Sequence, residues 1–339
     1  MSQSMHYLSK SFQLFRSLVL VGAILALCVV VLGAYVRLTD AGLGCPDWPG
    51  CYGTLTVPQS KTAIQNAQSV YPQSTVVIGK AWREMAHRYL AGTLGLIVFA
   101  IGLLAWRVRR EMNVSAWTPT CLVFVIGFQA MLGMWTVTLL LKPVIVSAHL
   151  LGGMTTLAIL AWLAHRHWGH YSSNIIKSNR LIFSIRFALL IILMQIFLGG
   201  WTSTNYAALA CTDFPTCHGL WIPEMDFKDA FHLVRDLGQS ASGGALGLAS
   251  ITAIQWTHRL GALITLIYLG FIGLNVLKYW QLKPLGFALL AVLFTQIGLG
   301  IANLVLHLPL VLAVAHNFTA GLLVIILVML NSKITKSYR

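Results

Sequence analysis

Charge is scarce in this sequence. Only 9% of its 339 residues are Asp, Glu, Lys or Arg, against about 25% in an ordinary soluble domain. A chain of this length cannot clothe a water-facing surface with so little charge, which excludes a soluble globular protein. Acidic residues are the scarcest: 9 Asp and Glu stand against 23 Lys and Arg, a formal net charge of +14. An excess of that size raises the question of nucleic acid. However, the basic residues are scattered through short segments between apolar runs, the pattern by which membrane orientation is encoded, and nucleic-acid binding is set aside.

What is abundant is apolar. Hydrophobic residues make up 57% of the chain, and they gather into eight runs at about 15–36, 86–106, 117–139, 144–164, 182–203, 251–275, 284–305 and 310–331. Each is long enough for a helix to cross a hydrocarbon core about 30 Å thick. The first follows Lys10 and Arg16, as a signal peptide would. It is too long for an h-region and no small-residue cleavage site follows, so it reads as a retained helix. Lys10, Arg16, Arg107, Arg109, Arg110, Arg166, Lys177, Arg180, Lys278, Lys283, Lys333, Lys336 and Arg339 fall on one side of the resulting topology, while every acidic residue except Glu111 falls on the other. The positive-inside rule then puts both termini on the cytoplasmic side, expected of a bacterial inner membrane, or on the matrix side in an organelle, and the two long loops, about 37–83 and 204–250, outside.

The chain repeats itself at an offset of about 167 residues. Gly33 leads to Cys45 and Cys51 as Gly199 leads to Cys211 and Cys217, with equal intervals. Gln129 matches Gln296, His149 matches His316, and His87-Arg88 matches His258-Arg259. Glycine and leucine coincidences mean little in apolar helices, but Cys, His, Arg and Gln matching at offsets between 166 and 171 do not arise from composition. Because each copy carries four runs, both insert with the same orientation, related by an axis along the membrane normal. The expected fold is an all-α polytopic membrane protein, its eight transmembrane helices forming two pseudo-symmetric four-helix bundles over residues 1–170 and 171–339.

Four histidines, His87, His149, His258 and His316, lie within the apolar runs near their outer ends. Ionisable residues inside membrane helices usually face the bundle interior and mark function. A single one could be a hydrogen-bonded packing residue, but a recurring pair per bundle suits axial ligation of a haem iron. Zinc would call for further ligands, commonly cysteine or carboxylate. Gly92, Gly152, Gly153, Gly261 and Gly321 would let a flat macrocycle approach the backbone. Arg88 and Arg259 either pair with haem propionates or snorkel to lipid headgroups. Glu84 stands three residues before His87, on the same helical face, whereas Gln255 holds that place before His258. A carboxylate can stabilise a cation or take a proton where an amide cannot. That assigns chemistry to the first half and cofactor holding to the second, the plain alternative being an exposed residue at a helix start. On the outer, oxidising side the cysteines read as local disulfides, Cys45–Cys51 and Cys211–Cys217, with redox-active thiols as the alternative. Cys28 and Cys121 read as small core residues, and His165, His167 and His170 as part of a solvated loop.

The stretch from Arg37 through Cys45-Pro-Asp-Trp-Pro49, the Glu84-x-x-His87-Arg88 motif and the four spaced histidines resemble the haem A synthase family over nearly the whole chain. The resemblance implies oxidation of the C8 methyl group of haem O to a formyl group, giving haem A for terminal oxidases. It implies a substrate haem between His87 and His149 beside Arg88, a resident haem b between His258 and His316 beside Arg259, and Glu84 acting on a cationic intermediate. Among partners it implies haem O, haem O synthase, terminal oxidase assembly and membrane lipids. The electron acceptor and any homo-oligomeric state are left open. The rival readings are a dihaem electron-transfer protein of the quinone oxidoreductase type, which does not explain a carboxylate in only one half, and a transporter, which predicts no haem.

Overall fold

The computed structural model describes residues 9–112, 115–168, 178–240 and 243–335. The boundary expected at 170/171 lies outside them, as do His170, Lys177, Lys336 and Arg339. Among the described residues the regular structure is helical, in the order α1 (Lys10–Leu38), α2 (Lys61–Val70), α3 (Ile78–Arg107), α4 (Trp117–Thr138), α5 (Pro143–Trp168), α6 (Asn179–Thr204), α7 (Phe227–Ala230), α8 (Leu248–Val276), α9 (Lys283–Val305) and α10 (Leu310–Thr335). All but α2 and α7 are long and apolar enough to cross a membrane, so the protein is all-α and multi-pass, as its sequence requires.

Several helices outrun their apolar stretches. In α3 and α8 the helix begins at Ile78 and Leu248, so Glu84 and Gln255 lie inside helices and not at their starts. Glu84 is also buried, at 4% exposure, which removes the reading of an exposed helix-start residue. At the other end, α5 runs on to Trp168, carrying His165 and His167 in its last turn. His167 is buried edge-on against the rings of Phe12 and Phe15, where a solvated loop was expected. Cys28 and Cys121 are exposed and not in the core. Helices apolar on every face give the sequence no stripe from which to read the inward side.

Helix α2 was not anticipated, because ten mostly polar residues carry no membrane signal. Ser60 caps it by accepting the Ala63 N–H at 3.1 Å. Its Ala67 joins Cys45, Cys51, Tyr52, Val57, Ala81 and Met85 in a small core of its own, so the first outer loop is a folded cap.

In the first half α1 packs on α3 and α5, and α4 on α3 and α5; in the second, α6 packs on α8, and α9 on α8 and α10. α10 also lies against α6 within the second half, and between the halves α10 lies against α1 and α5, and α5 against α6. Phe15, Leu157, Ile185, Leu269, Leu293 and Leu327 consequently belong to one continuous apolar cluster. Lipid is as apolar as leucine, so such helices are held by close packing rather than by escape from water. A methyl group at Gly102 would stand 2.7 Å from Val123 of α4, which shows how close that approach is.

Contacts also tie the helix ends together on both sides of the bundle. Near one end, Ser9 bonds Glu111, Arg107 donates to Ser11 and Trp168 donates to the Arg16 carbonyl. At the opposite end Arg37 donates to the Ser203 carbonyl at 2.8 Å, and Tyr206 donates to Asp40 at 3.4 Å, both pairs separated by 166 residues. Backbone conformations recur at matching places there. Asp40 and Tyr206 take the left-handed region, as do Tyr52 and His218, and Trp48–Pro49 and Phe214–Pro215 are both cis.

Candidate functional site

The four helix histidines come together in pairs. His87 of α3 faces His149 of α5, with ring centroids 6.4 Å apart and planes at 78°. A metal–imidazole bond is ~2 Å, so one octahedral ion ligated from both sides sets two rings about 6 Å apart, the axial geometry of a bis-histidine haem. His87 Nδ1 and His149 Nδ1 are buried with no partner. In the second half His258 of α8 and His316 of α10 are close enough to interact electrostatically.

Each imidazole is seated against a glycine of the preceding membrane helix. A methyl group at Gly33 would stand 3.0 Å from His87 Cε1; at Gly133, Gly199 and Gly300 it would stand 3.2 Å from His149, His258 and His316 Cε1. Only a missing side chain lets the rings lie that close to the neighbouring backbone. The glycines singled out from the sequence do other work. Gly152 and Gly261 make room for the carboxamides of Gln129 and Gln195, while Gly153 and Gly321 admit Val30, Leu27 and Leu157 across helix contacts. Of those five, Gly92 alone meets nothing within 4 Å. Gly33 and Gly199 were visible in the repeat, but glycine is too common in membrane helices for its coincidences to signal a seat.

Glu84 lies one turn before His87 on α3, and its carboxylate is fully engaged. Oε2 accepts the Cys45 N–H at 2.9 Å and Oε1 pairs with Arg88 Nη2 at 2.5 Å. Arg88 Nη1 in turn donates to the carbonyls of Asp47 (2.8 Å), Pro49 (3.4 Å) and Gly50. The second half repeats the frame without the charge. Gln255 Oε1 accepts the Cys211 N–H, its Nε2 donates to the Ala208 carbonyl at 2.5 Å, and Arg259 donates to the carbonyls of Thr216 and Cys211. Both arginines therefore grip the cysteine loops, an engagement that neither snorkelling nor propionate pairing anticipated. Their bonds to the loops run from Nη1 and Nη2, which leaves each Nε–H for another acceptor.

The loops are closed by two disulfides, Cys45–Cys51 and Cys211–Cys217. Inside each turn an aspartate gathers two backbone donors: Asp47 takes the N–H groups of Tyr52 and Gly53 at 2.6 and 2.8 Å, and Asp213 those of His218 and Gly219 at 2.7 and 3.0 Å. The Thr216 hydroxyl, followed by these N–H groups, holds the Asp213 carboxyl well below the usual carboxylate range. In the first loop, burial raises the Tyr52 phenol, with the Glu84 and Asp47 charges adding to it. Among the described residues, Cys211, Cys217 and His218 are the one group whose ligand atoms converge as a metal site would require, and the disulfide already uses both thiols. Non-reducing peptide mapping of the purified protein is expected to recover each loop as an internally linked peptide; a cross-link between the loops would contradict the pairing.

The whole arrangement has relatives. The sequence profile described as cytochrome oxidase assembly protein matches residues 16–328. The chain is 42% identical over 310 residues to the haem A synthase of Shewanella oneidensis, covering 91% of this chain and 93% of that one. It is 28% identical over 324 residues to the haem A synthase of Caulobacter vibrioides, covering 89% and 90%. With the haem A synthase of Shouchella clausii it shares 28% identity over 240 residues, 69% of this chain and 72% of the other. A match that spans all eight membrane helices and both disulfide loops leaves no segment of the site outside it, and the chain belongs to the cytochrome oxidase assembly protein family.

Proposed function

We propose that the chain is a haem A synthase, oxidising the C8 methyl group of haem O to a formyl group and so supplying haem A to terminal oxidases. The observation that carries this reading is the difference between two otherwise matching frames: a buried carboxylate, Glu84, beside one histidine pair, and an amide, Gln255, beside the other. His87 and His149 would hold the substrate haem, and their 6.4 Å separation and unpartnered Nδ1 atoms suit a ligand pair. His258 and His316 would hold haem b, which when bound supplies one-electron redox chemistry. On this reading the chain would divide into two pseudo-symmetric units, residues 1–170 and 171–339, one histidine pair in each.

The chain's own groups then have distinct tasks. Arg88 and Arg259 fasten the disulfide loops over the outer ends of α3 and α8, and the remaining N–H of each suits a propionate. Glu84, fixed by Cys45 N–H and Arg88, presents a preorganised negative charge close to His87, the kind of group that favours a cationic centre developing at the methyl carbon. The clustering of Arg16, Arg107 and the last turn of α5 near one end supports cytoplasmic termini in a bacterial inner membrane. Electrons leave to an acceptor that the chain does not identify.

The test is co-expression with a source of haem O, followed by extraction and chromatography of the haems. Haem A is expected only when the intact chain is present. Unconverted haem O, in a protein carrying both bis-histidine haems, would overturn the synthase reading in favour of electron transfer.

A further inference from the structure

The four histidines differ in what stands behind their rings. Gln195 of α6 places its Nε2 3.1 Å from His258 Nδ1 and 3.1 Å from the His258 carbonyl. Gln296 of α9 places its Nε2 3.2 Å from His316 Nε2, and its Oε1 takes the Thr319 hydroxyl. In the first half the Gln129 amide donates to the main-chain carbonyl of His149 at 2.5 Å rather than to the ring; buried, unpartnered Nδ1 atoms occur in both halves, at His87, His149 and His316. Each glutamine stands one helical turn before the glycine that seats its histidine. The matching residue before Gly33 in α1 is Val29, and His87 has the Val29 main-chain carbonyl beside it instead of a carboxamide.

Building on the haem reading above, we propose that Gln195 and Gln296 are positioning residues that pin the C-terminal imidazoles onto a resident haem, while Val29 leaves His87 the ligand that lets a haem come and go. An imidazole that binds iron through one nitrogen carries its proton on the other, and an acceptor for that proton fixes the ring and strengthens the ligand. Gln195 Oε1 is buried with no partner, on the same amide whose nitrogen lies 3.1 Å from His258 Nδ1. A half-turn of the amide brings this oxygen to an Nδ1–H and leaves the lone pair of Nε2 for the metal. The valine side chain offers neither a donor nor an acceptor, and only the Val29 main-chain carbonyl stands beside His87. A site that must release its product each turnover is served by a ring without a side-chain amide behind it, and a site that keeps its cofactor by a ring that has one; the difference is expressed in the dissociation rate.

The experiment is haem capture by excess apomyoglobin from the detergent-solubilised full chain, saturated beforehand with haem b. Wild-type protein is expected to lose haem in two phases, fast from the His87/His149 site and slow from the His258/His316 site. Gln195→Leu should accelerate the slow phase about 10- to 100-fold and raise the reduction potential of that haem. Gln195→Glu keeps an acceptor oxygen, so it should restore retention and lower the potential, a shift that packing alone would not produce. Val29→Gln combined with Leu90→Thr copies the Gln296–Thr319 pair and should slow the fast phase. If Gln195→Leu does not fold, the other two variants decide the matter. An unchanged potential in Gln195→Glu, or an unchanged fast phase in the Val29/Leu90 variant, would overturn the proposal. Failure of the haem reading itself would look different: His258→Ala would still retain the full haem complement in both phases.

Discussion

A Glu84→Gln variant is expected to fold, insert and bind haem O, yet to form haem A at least about 100-fold more slowly, the usual scale for removing one preorganised electrostatic or acid–base group. Its folding is argued from the second half of the same molecule. There Gln255 accepts the Cys211 N–H as Glu84 accepts that of Cys45, so an amide fits the frame. Removing one partner of a buried ion pair is costly when the other is left unpaired. Arg88, however, keeps the carbonyls of Asp47, Pro49 and Gly50, which limits that cost. What the variant loses is the negative charge. Accumulation of a hydroxylated haem would place the charge late in the oxidation, and accumulation of haem O alone would place it at the first step. Haem A output near the wild-type level, at equal protein and equal bound haem, would show that no charge is needed at this position.

The second large effect is expected at the other histidine pair. Replacing His258 or His316 with alanine should leave less than about a tenth of the wild-type haem b per folded chain, since an axial ligand contributes at least as much to retention as its hydrogen-bonding partners do. The substrate side should be spared, because His87 and His149 lie on α3 and α5 and have their own glycine seats. Pyridine haemochrome quantification against protein mass measures the loss. Titration with haem O then reports whether the first site still binds. Full haem b in a folded His258→Ala/His316→Ala double variant would remove these residues from the cofactor site.

Much of this was legible beforehand because the informative residues are rare ones. Histidine, cysteine and arginine stand out against leucine and valine, so the repeat, the four histidines and both disulfides could be read from the sequence. The Glu84/Gln255 difference was visible for the same reason. What hid was whatever used common residues or needed depth. Gly33, Gly133, Gly199 and Gly300 seat the imidazoles, yet glycine is frequent in any membrane helix. The burial of Glu84 depends on a folded cap that includes α2, and α2 is too short and polar to announce itself. Cys28 and Cys121 were misplaced because their helices are apolar on every side.

The contact of Arg37 with Ser203, and of Asp40 with Tyr206, carries a consequence for how such a chain can arise. The partners in each contact occupy equivalent positions of the two copies, so each pair sits where a two-fold axis would bring a residue against itself. In a dimer of identical subunits, an arginine there would have to face a second arginine, and an aspartate a second aspartate. Like charges so near each other repel. Joining two copies in one polypeptide lifts that restriction, because each copy can then change alone. Here one arginine rests on a carbonyl and 4.5 Å from the centre of the Tyr206 ring, and one aspartate takes a phenol. The same freedom, exercised one turn before the first histidine, separates Glu84 from Gln255. On the proposed assignment, tandem duplication would let a repeated scaffold keep one site for chemistry and the other for storage of the cofactor.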